Sequence, residues 1–461
     1  MDVTILSRIQ FAFTITFHYI FPPLSIGLSI ALIMMEAMYL KTKDVLWEKI
    51  TKFWLKVFSM TFALGVATGI PMVFSFGTNW ARYSRFVSDV SGSILGIEGM
   101  FAFLIEAGFL GVLLFGWHKV SKKVHFLSTI LVSFGAHFSA IWIVTFNSWM
   151  QTPSGHKIVT LEDGTTVAQV ADWWQVFLNP SNVNHLVHVI LGAWMAGAFL
   201  IISIASYYIL KLRFIDFARR SLKVGLLMGM TTVVLQLISA DSLARNVAKH
   251  NPEKFAAFEA VYKTEKATPA YVFGWVDQQN QKVYGLAIPG LLSFMTYRNI
   301  DTPVPGLNEF PKADQPPLVN AVFQFYHLMV IMWLLMAIVA FVGGYHWWKK
   351  NWHIRPFFLK LMMISVIFPQ LGNIAGWYSS EIGRQPWTVY KLLRTGQAVS
   401  PIISKGQVWG SLIMFVTMYS LFFVLFLVLL DRKIKTGPQL EPVEDYPYRR
   451  IPNNKKPEEK I

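Results

Sequence analysis

Long apolar runs dominate the chain, and only short polar stretches separate most of them. Each run has at least the ~20 residues that a helix needs to cross the ~30 Å hydrocarbon core of a bilayer. The runs are continuous rather than alternating in polarity, which favours membrane helices over the strands of a β-barrel. The pattern predicts an all-α, polytopic transmembrane bundle of about nine helices, at residues 11–38, 53–76, 94–117, 125–148, 186–210, 221–240, 319–347, 357–378 and 407–430.

Basic residues mark alternate connections between these runs. Lysines and arginines cluster after the first, third, fifth and seventh runs, at residues 41–52, 119–123, 211–223 and 349–360. Short loops rich in these residues stay on the cytoplasmic side of a membrane. The distribution therefore predicts that the N-terminus lies outside the cell and that a basic C-terminal tail lies in the cytoplasm.

The longest connection divides the chain into four regions. Helices one to six occupy residues 1–240, an outer loop residues 241–318, helices seven to nine residues 319–430, and the basic tail residues 431–461. A polar connection as long as this loop is more often functional than a simple tether. We therefore expect the outer loop to contribute to a binding site.

One helix is predicted inside the outer loop. Asn251, Pro252 and Glu253 form a helix-start signal, and the helix is expected to run to about residue 263. Lys254 and Glu259 on this helix could hydrogen-bond a quinone headgroup. A solvated amphipathic helix with ordinary surface charges is the alternative interpretation.

The composition narrows the chemistry that the chain can perform. Of the 461 residues, 54% are hydrophobic and none is cysteine. Covalent c-type haem, cysteine-ligated iron–sulfur clusters and disulfides are therefore excluded, and any redox centre must use histidine, methionine or carboxylate ligands. The net charge of +15 lies mostly in short loops and the tail, so no nucleic-acid partner is expected.

His18 lies inside the first apolar run, four residues before Pro22. Proline has no N–H to bond the carbonyl of residue 18 and clashes with it, so the helix is expected to kink at the histidine. An imidazole in a loosened turn suits a metal ligand. A packed histidine bonded to a neighbouring helix is the alternative.

Two acids share the third apolar run. Glu98 and Glu106 are expected to lie about 80° apart in rotation and about 12 Å apart along the axis of a regular helix. Buried carboxylates are expensive in a membrane, so the pair is expected to line a proton route or a cofactor pocket. A structural pairing role is the alternative.

His185 and His188 open the fifth run on one helical face, and Met329 lies near the start of the seventh. The predicted topology places both starts on the outer side. A histidine and a methionine from two helices could hold a low-spin haem iron. Taken alone, a methionine in an apolar helix is more often part of the core.

Residues 376–387 close the eighth apolar run with the sequence GWYSSEIGRQPW. Trp377 belongs to a type that favours the boundary between hydrocarbon and water. Glu381 at this depth is tolerated mainly where it faces protein, a metal or a proton path. Arg384 adds a hydrogen-bond donor beside it, and Asn147 ends the fourth run near the outer face. These residues could shape a cofactor pocket, or simply end two helices.

Taken in chain order, these residues resemble subunit I of the cytochrome bd-type quinol oxidases over nearly the whole sequence. The most specific match is GRQPW at 383–387, after Glu381. The other matching stretches are SRIQF at 7–11 with His18, GIEG at 96–99 with Glu106, NSWMQ at 147–151, NH at 184–185, and FQF at 323–325 with Met329.

The resemblance implies three haems, namely a low-spin haem b, a high-spin haem b and a haem d that reduces O₂, with replacement of haem d by haem b as the alternative. His185 and Met329 match the ligands of the low-spin haem, whereas His18 and Glu381 match ligands of the two high-spin haems. Which high-spin site carries haem d is left open. The resemblance further implies catalytic roles for Glu98, Glu106 and Arg384, and contacts to the cofactors from Trp377 and Asn147. It implies that Lys254 and Glu259 bind quinol.

The implied reaction takes electrons from menaquinol or ubiquinol at the outer loop and reduces O₂ to water with cytoplasmic protons. Separating proton release from proton uptake generates a proton-motive force without a pump. The implied partners are a second large subunit and a small single-helix accessory subunit in a bacterial or archaeal cell membrane. A proton-coupled transporter would also explain Glu98 and Glu106, but it would leave His18, His185 and Met329 without a role.

Overall fold

Nine helical segments account for most of the chain. The computed structural model describes residues 2–349 and 355–439. Residues 350–354 of one predicted basic cluster and residues 440–461 of the predicted tail therefore lie outside the described residues. The nine segments found within these ranges confirm the predicted all-α, polytopic architecture. They are Val3–Thr42, Val45–Thr78, Ser88–Phe115, Lys122–Gln151, Asn182–Leu210, Ile215–His250, Val319–Trp348, Pro356–Gly383 and Lys405–Thr436.

Several segments consist of more than one helix, and short helices lie in the connections. In chain order the helices are α1 (Val3–His18), α2 (Phe21–Thr42), α3 (Val45–Thr78), α4 (Ala81–Phe86), α5 (Ser88–Ile97), α6 (Phe103–Phe115), α7 (Lys122–Gln151), α8 (Trp173–Phe177), α9 (Asn182–Leu210), α10 (Ile215–His250), α11 (Pro252–Phe258), α12 (Leu291–Tyr297), α13 (Val319–Trp348), α14 (Pro356–Ile364), α15 (Ile367–Gly383), α16 (Thr395–Ala398) and α17 (Lys405–Thr436).

The first segment breaks where the sequence predicts. Helix α1 ends at His18, and α2 begins at Phe21 with prolines in its first turn. A proline is tolerated there because the first N–H groups of a helix have no internal partner. The predicted kink at His18 is confirmed.

The third segment contains a π-turn, Glu98–Ala102, between α5 and α6. A π-turn accommodates about one extra residue, so the eight positions from Glu98 to Glu106 advance the helix about as far as seven residues of regular helix do. The two side chains are therefore about 20° apart in rotation about the helix axis, rather than about 80°. The angle predicted for a regular helix is therefore wrong. Both carboxylates lie near one face of the segment.

Helix α10 is longer than the sixth predicted run. Helix α10 continues to His250, past the predicted end of the sixth run at residue 240. An i,i+4 ion pair between Asp241 and Arg245, with Nη2 and Oδ2 2.8 Å apart, supports this polar extension. Helix α11 starts after Asn251 as predicted, but it ends at Phe258 because Ala260 adopts a positive φ of 51°.

In the described part of the chain, three two-stranded antiparallel hairpins, which the hydrophobic pattern did not predict, lie in the connections between helical segments. Their strands are β1 (His156–Thr160) with β2 (Thr166–Val170), β3 (Ala270–Asp277) with β4 (Lys282–Ile288), and β5 (Trp387–Val389) with β6 (Leu393–Arg394). The β3–β4 hairpin lies against α13, where Gln324 Nε2 donates to the Gly274 carbonyl at 2.8 Å.

The largest apolar core joins α2, α3, α9 and α10, and includes Trp54, Phe199 and Tyr208. Helices α2 and α9 approach closely because both carry glycine at the crossing. A Cβ atom placed on Gly27 would lie 2.4 Å from the Ala193 carbonyl oxygen. This packing places the middle of α9, the helix that carries His185, directly against α2.

Candidate functional site

The carboxylate of Glu381 is held at the end of α15 by three side chains. The amides of Asn147 and Gln151, at the end of α7, each donate a hydrogen bond of 3.1 Å to Glu381 Oε1. Arg384 Nη2 donates to Glu381 Oε2. The structure thus brings Asn147, at the end of the fourth apolar run, together with Glu381 and Arg384, at the end of the eighth.

Arg384 is 7% exposed, and its Nη2 atom is the one that donates to Glu381. Within the described part of the chain, its Nε and Nη1 atoms have no hydrogen-bond partner. An unsatisfied buried donor costs about 1–3 kcal/mol. A guanidinium with spare donors is suited to an anionic group such as a haem propionate, which accepts charge-assisted hydrogen bonds. These residues therefore fit a haem.

His18 lies against α3. Its Nδ1 atom is 3.1 Å from Thr68 Oγ1, and a Cβ atom on Gly69 would lie 3.0 Å from its Cε1 atom. The next residue along the chain, Tyr19, packs edge-to-face on Trp377 with ring centroids 5.5 Å apart. The break after α1 therefore lies beside α15, the helix that carries Glu381.

Met329 also faces α15. A Cβ atom on Gly376 would lie only 2.8 Å from Met329 Sδ, so the thioether occupies the space that a larger residue would fill. His185 lies close enough to Arg384 and Lys254 to experience the positive charges of both side chains. Among the residues that the structure describes, no hydrogen bond engages the His185 ring, whereas His188 Nδ1 lies 3.1 Å from Gln236 Nε2.

Glu98 and Glu106 lie beside α7. Ser139 Oγ donates a hydrogen bond of 2.7 Å to Glu98 Oε1. Glu106 is 8% exposed. Carboxyl groups at two depths of one segment can pass protons between them through water or a hydroxyl.

Lys254 is buried rather than solvated. Its side chain is 3% exposed, and its Nζ atom donates hydrogen bonds of 2.9 Å to Gln151 Oε1 and to Ser380 Oγ. Burial lowers the pKa of the Lys254 ammonium to about 7, against the opposing attraction of Glu381. Because Gln151 also donates to Glu381, one continuous chain of hydrogen bonds joins the outer loop to the end of α15.

Glu259 lies just beyond the end of α11 and is 6% exposed. Phe258 stacks on Tyr326 of α13 with ring centroids 4.8 Å apart, and the Tyr326 hydroxyl bonds the Glu259 carboxyl. Glu259 Oε2 has no partner in the described ranges. Burial raises the pKa of Glu259 to about 7, although the bond from Tyr326 acts in the opposite direction. A buried carboxyl with a spare oxygen can accept a proton.

Sequence reasoning did not identify several residues that hold this site. Thr68, Ser139 and Tyr326 each bond a candidate residue from a different helix. A polar residue in an apolar run is the only local signal of such a role, and many others in the chain share it. For example, the hydroxyl of Thr51 donates to the Trp47 carbonyl of its own helix.

Comparisons with known proteins identify the family to which the chain is similar. Residues 6–438 match the family described as cytochrome bd terminal oxidase subunit I. Cytochrome bd ubiquinol oxidase subunit 1 of Bacillus subtilis is 36% identical, with 97% of each chain covered. Cytochrome bd-II ubiquinol oxidase subunit 1 of Escherichia coli is 32% identical, covering 95% of this chain and 97% of the relative.

A third relative and a solved structure extend the match. The putative cytochrome bd menaquinol oxidase subunit I of Bacillus subtilis is 30% identical, covering 88% of this chain and 91% of its own. A chain of the bd oxidase from Geobacillus thermodenitrificans superposes with a TM-score of 0.86 at 26% identity, covering 95% of this chain and 99% of that one. The chain therefore belongs to the cytochrome bd terminal oxidase subunit I family.

Proposed function

We propose that this terminal oxidase subunit oxidises quinol at its outer loop and uses the electrons to reduce O₂ to water. The observation that carries the proposal is the chain of hydrogen bonds from Lys254 through Gln151 to Glu381. It couples a buried cation of the loop to a carboxylate that matches a haem ligand. The relatives carry names with two different quinols, so the proposal names the class of substrate.

Three haems fit the candidate ligands, two of type b and one of type d. His185 and Met329 are proposed to hold the low-spin haem b, and His18 and Glu381 to hold the two high-spin haems. Bound haem supplies the electron carriers between quinol and O₂ and the iron at which O₂ is reduced. Asn147 orients the Glu381 carboxylate, and Trp377 packs beside the break that carries His18. The two spare donors of Arg384 are suited to a propionate.

At the outer loop, Glu259 is proposed to accept a proton from the quinol hydroxyl. Its spare Oε2 atom and its raised pKa, near 7, suit a base that works at neutral pH. Lys254 is proposed to orient the quinol headgroup, because its ammonium is fixed by two hydrogen bonds in a buried setting. Proton release then takes place on the side of the membrane where the loop lies.

Glu98 and Glu106 are proposed to supply protons for water formation. The bond from Ser139 fixes Glu98, and the π-turn keeps both acids near one face. With the N-terminus outside and the C-terminus in the cytoplasm, these protons come from the cytoplasm while quinol protons leave outside. This arrangement generates a proton-motive force without pumping in the inner or cell membrane of a bacterium or archaeon.

A second large subunit is proposed to cover the third segment. This segment is the least buried of the nine, at 7% against 22–72% for the others. Its exposed glycines leave room for close approach of another helix. They are Gly92, Gly96, Gly99, Gly108 and Gly111. A small single-helix accessory subunit is a further proposed partner.

The test of the proposed function is the optical spectrum of the purified complex. A pyridine-haemochrome assay should yield haem b, and a reduced-minus-oxidised spectrum should show one low-spin and two high-spin centres. Quinol should reduce these centres, and O₂ should reoxidise them. The alternative of a proton-coupled transporter, for which the family membership gives no support, requires a colourless protein.

A further inference from the structure

We infer that Thr68 is a positioning residue that fixes which ring nitrogen of His18 is free to bind iron. The inference rests on the proposed role of His18 as a haem ligand. Thr68 lies on α3, and its hydroxyl is the side-chain group that contacts His18 Nδ1, at 3.1 Å. Nothing in the sequence links the two residues, which are 50 positions apart.

The direction of this hydrogen bond follows from the other contacts of the hydroxyl. A threonine hydroxyl has one hydrogen to donate and two lone pairs that can accept. Thr68 Oγ1 donates that hydrogen within its own helix, to the Leu64 carbonyl at 2.7 Å with the Gly65 carbonyl at 3.2 Å. It can therefore only accept from His18, so the ring carries its proton on Nδ1.

This tautomer leaves the lone pair of His18 on Nε2. Neutral imidazole binds a metal through its unprotonated nitrogen, and a hydrogen bond to the other nitrogen sets both the tautomer and the orientation of the ring. Thr68 thereby leaves Nε2 as the candidate ligand atom.

The surroundings of Thr68 keep it in place. Its side chain is fully buried, and the hydroxyl of Tyr419 on α17 donates to its backbone carbonyl at 2.6 Å. Gly69 lets the ring lie flat against α3, since a Cβ atom there would stand 3.0 Å from His18 Cε1. Contacts among helices α1, α3 and α17 thus hold the His18 imidazole in one position.

The experiment compares Thr68→Val, Thr68→Ala and Thr68→Ser in the purified complex. Valine and alanine remove the acceptor, whereas serine retains it. Thr51→Val is the matched control, because Thr51 is equally buried on the same helix and, among the described residues, its hydroxyl bonds only the Trp47 carbonyl. The readouts are the iron–histidine stretching band of the reduced high-spin haem and the rate at which that haem is lost to apomyoglobin.

Thr68→Val and Thr68→Ala should lower the frequency of the iron–histidine band, because Nδ1–H loses the hydroxyl of Thr68 as an acceptor. Both should speed loss of the high-spin haem by about 10-fold, while Thr68→Ser and Thr51→Val match the parent protein. The low-spin spectrum shows whether a variant is folded. If Thr68→Val or Thr68→Ala retains that spectrum and also keeps the parental iron–histidine band and rate of haem loss, the inference is overturned.

His18→Ala separates this inference from the proposed function. If it removes the band while Thr68→Val and Thr68→Ala change nothing, His18 binds iron and Thr68 has no positioning role. If His18→Ala leaves the band and all haem in place, the proposed ligand itself is wrong, and the inference falls with it.

Discussion

Gly376 on α15 lies directly against the thioether of Met329 on α13. The space for Met329 Sδ exists because residue 376 has no side chain, since a Cβ atom there would be 2.8 Å from the sulfur. Real Cβ atoms essentially never approach so closely, so a larger residue must displace the thioether. Helices α13 and α15 thus fix the position of a candidate ligand by close packing.

Gly376→Ala should shift the low-spin haem spectrum, because the added methyl pushes the Met329 sulfur from its place. Gly372→Ala, one turn earlier on the same helix, is the control, since its Cβ atom would make an ordinary contact of 3.4 Å with Met332 Cβ. Reduced-minus-oxidised spectra of both variants provide the measurement. Equal spectra for the two alanine variants would contradict the packing argument.

His185→Ala and Met329→Leu should each abolish the low-spin haem b band. Each change removes one axial ligand, and a six-coordinate low-spin iron needs both. His188→Ala is the control, since His188 lies one turn further along α9 and bonds Gln236. An unaltered difference spectrum in both ligand variants would defeat the assignment.

Quinol oxidation should rise with pH around pH 7 and depend on Glu259. Burial raises the pKa of this carboxyl to about 7, so below that pH the carboxyl is protonated and cannot accept the quinol proton. Glu259→Gln should lower kcat/KM by at least about 100-fold and flatten the profile. Glu265→Gln, at an exposed position of the same loop, is the control. The same pH profile in Glu259→Gln would exclude Glu259 as the base.

Lys254→Met should raise the KM for quinol by about 10-fold and leave the haem spectra intact. The variant removes one charge-assisted hydrogen bond to the headgroup without altering a candidate iron ligand. The exposed Lys263 of the same loop offers the control Lys263→Met. Steady-state quinol oxidation, measured beside optical spectra, separates the outcomes. A loss of haem without a change in KM would place Lys254 in the structure of the haem site instead.

Arg384→Lys should lower the haem content per protein. Lysine keeps the charge near Glu381 but loses the planar donors, two of which are buried without a partner in the described part of the chain. Arg394→Lys is the control, because Arg394 pairs with Asp314 in a half-exposed setting. Haem is measured by pyridine haemochrome against total protein. The same haem content in both variants would show that the spare donors of Arg384 do not hold a propionate.

Much of the fold follows from local properties of the sequence. Apolar runs of sufficient length partition into a bilayer as helices wherever they lie in the chain, because every backbone polar group must be satisfied internally. Pro22 likewise breaks the helix at His18 through contacts within one turn. The lack of cysteine and the positions of His18, His185, Met329 and Glu381 indicate histidine, methionine and carboxylate ligands from the sequence alone.

Other features depend on contacts between distant parts of the chain. The π-turn at Glu98 is one, since an extra residue in a helix leaves the apolar pattern almost unchanged. The burial of Lys254 is another, because a charged residue on a short helix appears solvated until Gln151 and Ser380, more than 100 positions away, are seen to bond it.

The sequence by itself determined the membrane helices, their order and the kinds of ligand that they carry, because hydropathy and side-chain chemistry belong to each residue separately. Only the tertiary structure decided which groups meet, such as Thr68 with His18 and Gly376 with Met329. Those contacts depend on the angles and positions at which packed helices cross. Each crossing is set by all the side chains between the two helices together.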